Sequence, residues 1–150
     1  KYGVLGDGVN LAARVEELNK RYGTDIILSE DVRQQSGVKE TFLLRALDNV
    51  VVKGRKIPTM VYEVLGERAD ATSKDICIAS SSEMAMQAYL RRNFREALAH
   101  LDEVKALCDG HDRAGAALAQ RCRRFMMNPP SENWDGSEVL VQKTWHSEND

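Results

Sequence analysis

Leu11, Val15, Leu18 and Tyr22 recur at helical spacing, so an amphipathic helix is predicted over about Val9 to Tyr22 with these side chains as its buried stripe. Tyr2 to Leu5 reads as the end of a strand, and Gly6-Asp7-Gly8 as a turn whose aspartate can cap the helix. Gly23 follows the last periodic residue, where a helix C-cap belongs. A short apolar strand is predicted from Ile26 to Leu28, then a brief helix that Ser29 begins and that ends near Gly37. Phe42 to Val52 is mostly extended, Gly54 marks a turn, and Thr59 to Val64 is rich in β-formers. Residues 1–65 therefore read as helix, strand, short helix and a two-stranded hairpin, an α+β or α/β piece too small to be a whole domain.

The pattern changes at Gly66. Residues 66–80 are polar and read as a linker, and helical periodicity starts at about Ser81. Met84, Ala85, Ala88 and Tyr89 line one face of a first helix, and Phe94, Ala97, Leu98 and Leu101 line a second, with a turn at Arg91-Arg92-Asn93. A third helix, Arg113 to Met126, has Ala117, Leu118 and Cys122 on one side and stops at Asn128-Pro129-Pro130. Arg121, Arg123 and Arg124 read as a solvated helix end. Residues 81–127 thus form a helical region and 128–150 a polar tail containing a Trp-Asp-Gly segment. In that tail Trp134 reads as a hydrophobic anchor, and the last residues read as disordered.

Bulk properties narrow the function classes. The chain has 150 residues, 43% hydrophobic and 29% charged, with a net charge of -2. That suits one or two globular units and gives no electrostatic match for nucleic acid. No apolar run approaches membrane-spanning length. The chain begins with Lys1 on a strand, and we expect it to be a piece of a longer protein with room upstream for a membrane anchor or sensor domains. Cys77, Cys108 and Cys122 fit no metal spacing and read as reduced structural thiols; His100, His111 and His146 are equally scattered.

One constellation carries chemistry. Asn10 and Arg14 are four residues apart, so they project from one helix face, away from the Leu11/Val15/Leu18 stripe. Both lie in the first turns of a helix that follows a glycine-rich turn, where free N–H groups and the macrodipole favour anions. An arginine there can grip phosphate oxygens in a fixed fork, and an asparagine can donate and accept toward a sugar. The same pattern also fits a helix with polar residues on its wet side. The glycine arrangement is neither a dinucleotide fingerprint nor a Walker loop.

GVLGDGVNLAARVEEL resembles the G-D-x-V-N-x-A-[SA]-R-[LM] signature of the class III adenylyl and guanylyl cyclases. The later VVVKGRKIPTMVYEV resembles that family's closing hairpin, with its Lys-Gly-Lys/Arg turn and Tyr-Glu-Val strand. Together the two motifs cover residues 1–65. The resemblance implies the C-terminal portion of a ferredoxin-like βαββαβ-type α+β catalytic domain. It implies that Asn10 hydrogen-bonds the ribose region, that Arg14 stabilises charge at the α-phosphate, and that Lys53 holds the terminal phosphates. Asp7 matches the aspartate of the Gly-Asp pair, in a capping and structural role. Gly3 stands where family members often carry a base-recognising side chain, so ATP and GTP stay open, with ATP favoured. Residues 81–107 resemble a tetratricopeptide unit, with Ala85, Phe94, Ala97 and Leu101 at its packing positions; this unit is expected to pack on the cyclase domain or on a partner. PPSENWDG is similar to segments that follow such helices in some multidomain cyclases.

By the same resemblance, two metal ions, Mg2+ or Mn2+, act on the nucleotide, held by aspartates in an earlier part of the domain. Asp7, Asp25 and Asp48 are not promoted to that role. The active site lies at a homodimer interface in a cytoplasmic catalytic region; one protomer supplies the metals and the other the asparagine, arginine and lysine. Partners are then ATP or GTP, a second copy of the protein and a protein bound by the helical tail. A competing reading is a catalytically inactive cyclase-like dimerisation and regulatory module. Because the metal half is absent from these residues, the isolated chain is expected to make no cyclic nucleotide; detecting that product without an added partner would overturn the domain reading.

Overall fold

The sheet begins where the chain leaves its first helix. The computed structural model describes residues 21–52 and 57–140. The expected strand at Tyr2–Leu5, the turn at Gly6-Asp7-Gly8, most of the first helix, the Gly54 turn and the last ten residues lie outside the described residues. Arg21 and Tyr22 are helical, and Gly23 follows with φ +67, the left-handed conformation of a glycine C-cap. Strand β1 (Ile27–Ser29) comes one residue later than expected. Ser29 then caps helix α1 (Glu30–Arg33) by accepting from the Val32 N–H. A further helical turn, α2 (Val38–Thr41), follows Gly37 and had no periodic signal of its own.

Strands β2 (Phe42–Val52) and β3 (Thr59–Glu67) form an antiparallel pair, in register from Phe42↔Glu67 to Val50↔Thr59. The expected bounds of β2 hold. β3 runs three residues beyond Val64, because the backbones of Phe42 and Leu43 continue to pair with Glu67 and Gly66. A bulge between Ala46 and Asp48 shifts the register, leaving Leu47 as the extra residue. Strand β4 (Glu138–Leu140), inside the expected polar tail, lies parallel to β2. The sheet has four strands in the order β1-β3-β2-β4.

The helical region starts earlier than its apolar periodicity indicates. Helix α3 (Ser73–Leu90) begins eight residues before Ser81, within the expected linker. Its start is a capping box. Thr72 Oγ1 accepts from the Asp75 N–H at 3.1 Å, and the Asp75 carboxylate accepts from the Thr72 N–H at 3.1 Å. The polar composition of 66–80 masked this signal. Helix α4 (Phe94–Leu107) is capped by Asn93, and α5 (Arg113–Met127) by Asp112, which accepts from the Gly115 N–H. Together the described residues form an α+β structure.

Two clusters make the core. The larger joins Ala85, Met86, Ala88 and Tyr89 of α3 to Phe94, Ala97 and Leu101 of α4 and to Leu118, Ala119 and Cys122 of α5; Ala46 and Met60 of the sheet pack against it. Met86 takes the buried position expected for Met84, which is 40% exposed. The smaller cluster holds Tyr22, Ile27, Leu47, Val50, Val61 and Ala114. Helix α5 contributes to both. Trp134 meets Tyr89 and Phe125 edge-on, with ring centroids 5.2 and 5.3 Å away, and Arg92 lies over its indole at 5.4 Å. Arg92 also donates to the carbonyls of Pro130 and Ser131. The indole thus anchors the chain after α5, as the sequence indicates.

Large aromatics removed from full burial cost about 3–5 kcal/mol, and half-buried Trp134 falls below that range. Trp134→Ala is expected to lower unfolding stability by about 2–3 kcal/mol, measured by urea titration; an unchanged midpoint would show that the indole does not anchor the tail. All three cysteines are free, Cys77 exposed and Cys122 buried. Burial, opposed in part by Arg121 and Arg123, pushes the Cys122 thiol up to about 11. The unfolded chain loses that proton first, so this contribution is intact below the ordinary thiol range and is lost as pH rises toward 11. At neutral pH a maleimide is expected to label Cys77 in the folded protein and Cys122 only after unfolding. Rapid native labelling of Cys122 would contradict its place in the core.

Candidate functional site

Gly3, Asp7, Asn10, Arg14 and Lys53 all lie outside the described residues. What the structure describes is the frame that leads to them. Tyr22 ends the segment that carries Asn10 and Arg14, and β2 ends at Val52, directly before Lys53. These two pieces meet at Asp48. The Tyr22 hydroxyl donates to Asp48 Oδ2 at 2.8 Å, and Arg121 of α5 donates to Oδ1 at 2.8 Å. The Asn49 N–H also donates to Oδ1, at 2.9 Å. Arg121 reaches Glu138 of β4 at 3.2 Å, and β4 is the neighbour of β2. Asp48 is 2% exposed, Tyr22 4% and Arg121 7%.

Electrostatics follow from that burial. Burial, reinforced by the Asp48 carboxylate, raises the Tyr22 pKa, so the phenol is a donor at all ordinary pH values. Burial by itself would lower the Arg121 pKa; the Asp48 charge and hydrogen bond outweigh it and raise it instead. Arg121 therefore stays charged inside the protein. Its burial corrects the expectation of a solvated basic helix end, which holds only for Arg123 and Arg124. The sequence did contain a signal. Ala114, Leu118, Arg121, Cys122 and Phe125 share one helical stripe, so Arg121 occupies a core position.

A second ion pair joins the same two elements with opposite polarity. Arg45 of β2 donates to Asp112, the cap of α5, at 2.7 Å, and lies 3.5 Å from Glu63 across the β2–β3 pair. Burial raises the Glu63 pKa, with Arg45 opposing it. Gly115 makes room for this arrangement, since a Cβ there would fall 2.0 Å from the Asp112 carboxylate. The Nε atoms of Arg45 and Arg121 are buried without a hydrogen-bond partner among the described residues.

Two cavities flank the frame. A polar one of about 160 Å³ is lined by Tyr22, Asp48, Gln120, Arg121 and Glu138. The larger, about 400 Å³, lies between α3 and the face of the sheet that presents Ala46, Met60 and Tyr62. Ala46 and Tyr62 form one cross-strand pair, while Arg45–Glu63 and Asp48–Val61 are the pairs on either side of it, so this cavity faces away from Asp48. Among the described residues no group of three or more His, Cys, Asp or Glu side chains could hold a metal ion. Asp48 uses both oxygens on protein donors. Among the described residues no helix is long and apolar enough to cross a membrane.

No family profile matches the chain, and no solved structure matches it. Among characterised proteins it is 32% identical over 120 residues to the terminal-differentiation-specific adenylate cyclase of Dictyostelium discoideum, covering 79% of this chain and 6% of that protein. It is 44% identical over 62 residues to an adenylate cyclase of Anabaena cylindrica, covering 41% of this chain and 12% of the relative. It is 39% identical over 66 residues to adenylate cyclase 1 of Rhizobium meliloti (strain 1021), covering 44% and 10%. The chain thus spans at most 12% of the length of these relatives. A match of 120 residues within 150 necessarily takes in α3 and α4, so likeness to the Dictyostelium protein extends past the closing hairpin into the helices. The chain is related to adenylate cyclases over part of its length.

Proposed function

We propose that this chain is the C-terminal part of a nucleotide cyclase catalytic domain, the part that handles ribose and phosphates. The observation that carries the reading is the GDGVNLAAR segment in a chain similar to adenylate cyclases at 32–44% identity. Those relatives' names favour ATP over GTP, and the product is then 3′,5′-cyclic nucleotide with pyrophosphate. The attacking 3′-hydroxyl forms a bond to the α-phosphorus as the bond to the leaving pyrophosphate breaks. Asn10 orients the ribose, so the hydroxyl stands in line with the leaving group. Arg14 meets the charge that builds on the α-phosphate, and Lys53 holds the terminal phosphates.

By the family resemblance a divalent cation, Mg2+ or Mn2+, would be held by aspartates in an earlier part of the catalytic domain. Such an ion would bind the phosphates and activate the hydroxyl. The complete site would then form in a homodimer in the cytoplasm. The α3–α4 pair resembles one tetratricopeptide unit and offers a surface for a protein partner.

Arg14→Ala in the full-length protein is expected to lower turnover by about 10²–10³ with modest change in KM. The assay is formation of cyclic nucleotide from ATP and from GTP. Near-normal turnover in the variant would overturn the role of Arg14, and absence of any cyclic product from the wild type would favour the regulatory reading.

A further inference from the structure

We infer that Asp48 is a positioning residue through which the helical tail holds the phosphate-handling residues in place, so that helix α5 belongs to the machinery of the site. The inference rests on the proposed roles of Asn10, Arg14 and Lys53. Three separate parts of the chain converge on one carboxylate. Tyr22 follows the Asn10/Arg14 segment along the chain, Asp48 lies in the strand that precedes Lys53, and Arg121 comes from the tail. Glu138 adds a fourth part, since it pairs with Arg121 and lies in register with Val50.

The chemistry favours positioning over simple stabilisation. Burying an ion pair costs desolvation that its attraction roughly offsets, so packed apolar side chains could hold these elements together equally well. Charge-assisted hydrogen bonds add direction. Asp48 presents one oxygen to the phenol and the other to the guanidinium, which fixes the helix end and the strand relative to each other as well as to α5. A catalytic arginine displaced by about 1 Å can lose as much as about 10²-fold in rate. The Dictyostelium similarity across α3 and α4 agrees with a tail that accompanies the catalytic part.

The neighbouring Arg45–Asp112 pair is an internal control. It joins the same β2 and α5 at comparable burial, 6% and 8% exposed, yet makes no hydrogen bond to Tyr22 among the described residues and lies farther along the strand from Lys53. Tyr22→Phe, Arg121→Met and Arg45→Met would be made in the full-length protein, with kcat and KM measured where circular dichroism shows each variant folded. Tyr22→Phe and Arg121→Met are expected to lower kcat by about tenfold with KM for the nucleotide changed less. Their double variant is expected to lose little more than the worse single one, because both act through Asp48. Arg121→Lys is expected to recover part of the rate. Arg45→Met is expected to lower the melting temperature while kcat stays within about twofold.

Loss of activity that simply follows melting temperature across all three variants would overturn the inference, as would independent, multiplying effects of Tyr22→Phe and Arg121→Met. A second readout does not depend on turnover. Amide hydrogen exchange over residues 9–22 and 49–60 is expected to quicken in Arg121→Met and to stay unchanged in Arg45→Met; equal change in both would also overturn it. If the wild type makes no cyclic nucleotide, or Arg14→Ala keeps full rate, the cyclase reading fails, and the exchange result still decides whether α5 holds these segments.

Discussion

The described structure depends on two buried ion pairs of opposite sense between strand β2 and helix α5. The strand offers a cation and then an anion, Arg45 and Asp48; the helix offers an anion and then a cation, Asp112 and Arg121. This order admits one seating of the helix. Reversing α5 on the strand would set Arg45 against Arg121 and Asp48 against Asp112, charges of like sign at buried positions. Such pairs contribute modestly to net stability after desolvation, but they discriminate strongly against wrong arrangements. The bulge at Leu47 takes part in this: it breaks the simple alternation between Arg45 and Asp48 and lets both reach the helix.

Helices α3 and α5 both join the helical region to the sheet. Helix α5 places Ala114 against the cluster around Tyr22 and Val61, and Leu118, Ala119 and Cys122 against the cluster around Tyr89. Helix α3 closes the other sheet face through Ala46 and Met60. The chain beyond α5 is turned back by Trp134 and Arg92, so that β4 can join β2 beside Glu138 and Arg121.

For a protein related to adenylate cyclases over part of its length, this arrangement changes what the tail is. A helical segment joined by a flexible linker would leave the hairpin free. Here the chain goes from β3 through a single turn of 3-10 helix, Arg68–Asp70, into α3. The phenol of Tyr22 and the guanidinium of Arg121 then meet on one carboxylate. The strand that precedes Lys53 is gripped on one edge by β3 and on the other by β4.

Local chemistry was legible where it needed no distant partner. The sequence by itself determined the β2 bounds, the Ser29 cap, the Gly23 helix end and the Arg91-Arg92-Asn93 turn. Periodicity, capping and glycine conformation depend on neighbouring residues alone. The GDGVNLAAR and KGRK motifs, which mark the candidate site, were read through their resemblance to cyclase motifs and lie outside the described residues. The start of α3 was missed because a capping box and a polar linker share a composition, and β4 because a short strand takes its pairing from β2. Only the tertiary structure decided that Arg121 is buried and that Asp48 binds Tyr22 and Arg121. Residues 26 and 73 positions apart along the chain are brought onto one carboxylate by packing, and no local pattern encodes that meeting.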